Sequence, residues 1–104
     1  MQVDGALLRE IVQRLATGPV AAADLPGRPA ETVAVHLHWL RNAGLATAPE
    51  ATGRPSRLTA LTDDGTALAP LAADGQRWEA LVERLRRYPP HQVATALFTL
   101  ARTH

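Results

Sequence analysis

Apolar residues recur at helical spacing in four places along this chain, with a pair of short extended runs between the second and the third. Residues 4–16 carry Leu8, Ile11, Val12 and Leu15 as one stripe, with Arg9, Glu10, Gln13 and Arg14 outside it, which predicts a first helix. Thr17-Gly18-Pro19 stops that helix, and Val20 begins a short extended segment. Residues 21–25 leave room for a turn or so of helix, because Pro26-Gly27 follows. Val33, Leu37 and Leu40 fall at i, i+4 and i+7 and predict the next strong helix, entered through Arg28-Pro29, where proline is tolerated in a first turn. Gly44 stands where a positive φ ends such a helix, and Leu45 can fold back onto it.

Residues 46–49 and 57–61 read as the strands of a hairpin with 50–56 at its tip. Thr62 is placed to cap the following helix, and Asp63 and Asp64 suit its first turn. Pro70 and Gly75 weaken that helix, which is expected to kink or break near 73–75. It is strong again over 76–87, where Trp78, Leu81, Val82 and Leu85 share a side. Pro89-Pro90 forces a break before a last helix over 91–103, apolar at Val93, Leu97, Phe98 and Leu100. The expected fold is mainly α with one small β-hairpin.

Composition narrows the function. A chain of 104 residues makes one domain with a modest core. Cysteine is absent, which excludes disulfides, thiolate metal sites and cysteine catalysis together. No run of about 18 apolar residues and no basic-then-apolar leader is present, so a cytoplasmic protein without a membrane partner is expected. All 11 basic residues are arginine, and the net charge is only +1. Residues 1–60 hold six arginines against five carboxylates, and residues 61–104 hold five of each. That is a faint basic footprint for a nucleic-acid protein.

Unrolling residues 30–42 at about 100° per residue puts Glu31, Val35, His38 and Asn42 opposite the core stripe, with Trp39 toward one side and His36 on the flank. Asn42 and His38 suit base edges or phosphates, and Val35 suits a thymine methyl. An outward Val and Trp together mark a surface for DNA or for a protein, or else pack against the hairpin or a neighbouring helix. Arg54 at the hairpin tip, with Arg57 beside it, suits a minor groove or the phosphate backbone. Arg28 and Arg41 are placed to clamp phosphates on either side or to lie in solvent.

Thr32-Val33, His36-Leu37 and the run Leu40-Arg41-x-Ala43-Gly44-Leu45 resemble the recognition helix of ArsR-type regulators. Gly53-Arg54-Pro55-Ser56-Arg57, leading to Leu61-Thr62-Asp63-Asp64-Gly65, resembles the wing and following helix of MarR- and PadR-type regulators. The two C-terminal helices are similar to the pair with which MarR-type proteins dimerise. This resemblance implies a winged helix-turn-helix core over 1–65 and a dimerising helical extension over 66–104, within one compact domain. It implies a homodimeric transcription regulator that binds double-stranded DNA in a sequence-specific manner and responds to a small-molecule or protein effector. The DNA contacts would be Arg28, Thr32, Val35, His36, His38, Trp39, Asn42, Arg54 and Arg57. Trp78, Leu81, Leu85, Val93, Leu97 and Leu100 carry more apolar surface than a small winged core needs and are expected at the dimer seam. The segment 24–32 is about one turn shorter than the usual second helix plus turn, and Ala34 and Val35 stand where those families carry serine and a basic residue.

The alternative is a winged-helix interaction module in which Val35 and Trp39 hold a protein partner. No catalytic constellation stands out, so no enzyme and no cofactor are expected. His36 and His38 lie about 200° apart on a helix and cannot share an ion, and a metal site joining His91, His104 and Glu79 or Glu83 between subunits is a minor alternative.

Overall fold

The first helix, α1 (Gly5–Leu15), opens at Asp4, whose side chain accepts a hydrogen bond from the Leu7 amide at 3.0 Å. The computed structural model describes residues 2–50 and 53–103. Leu7, Leu8, Ile11, Val12 and Leu15 bury one side of α1. A two-residue strand β1 (Val20–Ala21) follows, then a single 3-10 turn over Ala22–Asp24, closed by Asp24 accepting from the Ala21 amide at 2.9 Å. The turn or so of helix expected over 21–25 is therefore a single 3-10 turn.

Next comes α2 (Ala30–Asn42). It ends in a Schellman motif: Gly44, at φ 73°, donates to the Arg41 carbonyl at 2.9 Å, and Leu45 donates to that of Leu40 at 3.1 Å. The chain then forms β2 (Ala46–Thr47) and returns as β3 (Arg57–Leu58) and β4 (Ala60–Leu61). β3 pairs antiparallel with β1 in the register Val20↔Leu58, while β4 pairs with β2 in the register Ala46↔Leu61. The return segment 57–61 is thus shared between two small sheets.

Thr62 and Gly65 lock this hairpin to the helices that follow. The Thr62 hydroxyl donates to the Gly44 carbonyl at 2.6 Å and accepts from the Gly65 amide at 3.1 Å. A Cβ at position 65 would lie 1.8 Å from the Leu45 carbonyl oxygen, so only glycine fits there. After a 3-10 turn over Gly65–Ala67 comes α3 (Leu68–Ala73), which tolerates Pro70 in its first turn. The expected weak point is a full break. Asp74 leaves helical geometry, and its carboxylate caps α4 (Gly75–Leu85) by accepting from the Gln76 and Arg77 amides. A 3-10 turn over Pro90–Gln92 leads into α5 (Val93–Thr103).

The described residues form a compact, mainly α domain of five helices and two small two-stranded antiparallel sheets. No described helix is long and apolar enough to cross a membrane. Residues from both sides of position 65 supply one hydrophobic cluster, with α3 packed on α1, and α5 on α2. This corrects the expectation of a dimer seam. Trp78, Leu81, Leu85, Val93, Leu97 and Leu100 are buried in the chain's own core, because α4 and α5 fold back to cover α1 and α2. The Trp78 indole donates to the Gly5 carbonyl at 2.8 Å, and Gly5 lets Val82 approach α1 closely. Among the described residues Tyr88 is the one large apolar side chain left exposed.

Candidate functional site

The outer strip of α2 meets the hairpin tip and the turn before α5. Glu31, Val35, His38 and Asn42 run along the strip at i, i+4, i+7 and i+11, so they lie within about 60° of one another. Val35, His38, Trp39 and Glu31 join Arg54 from the tip and Pro90 and His91 from the last turn around a cleft of about 410 Å³. Glu31 and Asn42 are exposed; Val35 and His38 are half-buried.

Arg41 holds the tip in place. Its guanidinium donates to the carbonyls of Glu50 and Gly53 and to the side-chain oxygen of Asn42. It also reaches His38 Nδ1 at 3.3 Å, and His38 Nε2 lies 2.9 Å from the Asn42 amide nitrogen. Glu50 closes the loop by accepting from the Ser56 hydroxyl at 2.7 Å, a hydrogen bond that lowers its pKa below the usual carboxylate range. Pro55 is buried, which anchors the tip from the other side. Ala51 and Thr52, part of the expected tip, lie outside the described residues.

The structure brings some of the sequence candidates together and removes others. Arg54 and Arg57 are exposed, and Arg54 pairs with Glu31 at 3.0 Å. Arg28 is drawn away from any outer partner. It pairs with Asp4 at 2.9 Å and lies 3.8 Å from Glu10, clamping the loop before α2 onto α1. Thr32 is half-buried, and its carbonyl serves His36. His36 is 0% exposed and cannot contact DNA. Its Nδ1–H donates to the Thr32 carbonyl at 2.7 Å, and its Nε2 accepts from the Asp4 amide at 2.9 Å. Trp39, 5% exposed, packs edge-on against the His36 ring at 4.8 Å between centroids. The helical wheel places Trp39 outside because it knows only the angle from Val33; the His36 ring packs on it, and Pro90 and His91, in the turn before α5, line the same cleft.

Sequence reasoning missed two parts of this surface. The sequence alone leaves Arg41 as a phosphate clamp or a solvated residue; in the fold it is the pin of the tip. The signal for that was the short reach from the end of a helix to the loop nine to twelve residues on. Pro90 and His91 form one wall of the cleft, and no local pattern announces a contact across some fifty residues. His104 lies outside the described residues, which contain no cluster of three side chains suited to a metal ion.

His36 makes stability depend on pH. Burial is the largest influence and pushes its pKa below 6.5; the Thr32 hydrogen bond and the Asp4 charge oppose that, and the Arg28 charge adds to it. The fold requires the neutral ring, since a protonated Nε2 could not accept from Asp4. The stabilisation is therefore complete above pH 6.5, the unfolded value, and is lost as pH falls below it. The expected result is a lower melting temperature at pH 5 than at pH 7, with a smaller gap in His36→Asn. An equal gap in wild type and variant would assign the acid sensitivity elsewhere.

No protein-family model, curated protein or solved structure matches this chain.

Proposed function

We propose that this chain is a DNA-binding regulator of the winged helix-turn-helix class, with α2 as the reading helix and the 50–56 tip as the wing. The observation that carries the reading is the placement of Arg54 and Arg57. Both stand exposed, Arg57 as the first residue of β3 and Arg54 on the loop that Arg41 holds, where it pairs with Glu31 on the outer strip of α2. A guanidinium there reaches backbone phosphates while Val35, His38 and Asn42 face base edges. Arg28, His36 and Trp39 support these residues from within and are not proposed as DNA contacts. A homodimer on a two-fold operator remains part of the proposal, formed through a face other than the buried residues of α4 and α5.

The test is a mobility-shift titration against duplex DNA from around its own gene at two salt concentrations. Arg54→Ala and Arg57→Ala should each weaken binding and reduce the slope of log affinity against log salt by about 0.9. Unchanged affinity and slope in both variants would remove the wing from the interface.

A second reading, a module that docks a protein segment, is favoured by one observation. Pro90 and His91 wall the α2 strip on one side, so the strip forms the floor of a cleft. Absence of duplex binding at low salt, with the fold intact, would move the proposal to this reading.

A further inference from the structure

We infer that Glu31 is an internal stand-in for a DNA phosphate, holding Arg54 in the free protein and releasing it to the backbone on binding. This inference rests on the DNA reading above. Glu31 lies in the first turn of α2, where a carboxylate suits the helix dipole, and that alone would explain its charge. It does not explain why the carboxylate holds a guanidinium from 23 residues further along the chain, at 3.0 Å. Both groups are largely in solvent, 53% exposed for Arg54 and 73% for Glu31, so the pair is weak enough to exchange. The Glu31 carboxylate takes one of the five N–H donors of Arg54 and offsets its charge, which weakens the pull of the guanidinium on a phosphate. Glu31 thus competes with DNA for the wing arginine. The loop around Arg54 is otherwise fixed by Arg41 and Pro55, so the exchange is a side-chain swing.

The inference predicts coupling between two positions. Fluorescence anisotropy with a labelled duplex is measured for wild type, Glu31→Gln, Arg54→Ala and the double variant. Glu31→Gln should tighten binding about two- to fivefold, the range set by an exposed ion pair. In the Arg54→Ala background the same change should leave affinity unmoved. Glu31→Asp supplies the control, since it keeps the charge but shortens the reach; it should behave like Glu31→Gln. An equal gain from Glu31→Gln in both backgrounds, with Glu31→Asp like wild type, would show that Glu31 only repels phosphates and overturns the inference while leaving the DNA reading in place. No gain from Glu31→Gln overturns it as well. If wild type binds no duplex, both fall together.

Discussion

Gly65→Ala is expected to destabilise the fold by about 3 kcal/mol, the upper range for forcing extra volume into a packed site. The added methyl would stand 1.8 Å from the Leu45 carbonyl oxygen, well inside any contact distance, and that oxygen is backbone, unable to rotate aside. The same carbonyl accepts from the Thr62 amide at 3.0 Å, so moving it breaks the seam between the hairpin and the helices beyond. For a domain of this size each kcal/mol shifts the melting temperature by roughly 4–8 °C, which puts the expected fall at roughly 12–24 °C. Gly18→Ala is the control: nothing lies within 4 Å of a Cβ there, and a change within about 0.5 kcal/mol is expected. Similar melting temperatures for the two variants would mean that the approach of Gly65 to Leu45 is not a constraint.

Trp78→Ala should cost about 3–5 kcal/mol, the range for deleting a large buried aromatic side chain. The indole is 1% exposed, and its loss also removes the buried hydrogen bond that its Nε1–H donates to the Gly5 carbonyl. Against a total stability of about 5–15 kcal/mol this is a large share. Urea unfolding at two protein concentrations separates the roles assigned to this residue. A core position gives a lowered midpoint that does not depend on concentration. A residue at a dimer seam would leave the subunit folded and make the loss depend on concentration, contrary to its place on α4 against α1.

Local signals were legible where their cause was local. Gly44 ending α2, Thr62 capping beside Gly65, and the break at Asp74 all follow from single residues whose backbone needs or short side chains decide the outcome within a turn. The tip arginines were legible for the same reason, since a Gly-Arg-Pro turn leaves its charge outside. What the sequence hid was long-range. α2 is buried on two sides, by α1 and by α5, and the wheel built from Val33 shows only one of them. His36 therefore looks like a flank residue and Trp39 an outer one, and both are buried. Arg28, Arg41 and Arg54 looked free, yet each finds carboxylates or carbonyls brought near by the fold. In a chain with nearly balanced charge, most arginines have an internal partner within reach. The apolar stripes of α4 and α5 looked surplus because a core's appetite is set by how many helices fold over it, and here all five do.

The return segment 57–61 is hydrogen-bonded on one half to β1 and on the other to β2, and that divides the hairpin into parts with different freedom to vary in length. One residue inserted within the segment would slip the two ladders against each other and turn Leu58 or Leu61 to the opposite face. One residue inserted at the apex near Gly53 leaves both registers untouched. The frame that presents the apex is therefore fixed in length by its two ladders, whereas a change at the apex is felt only by the Arg41 contacts and the Pro55 anchor.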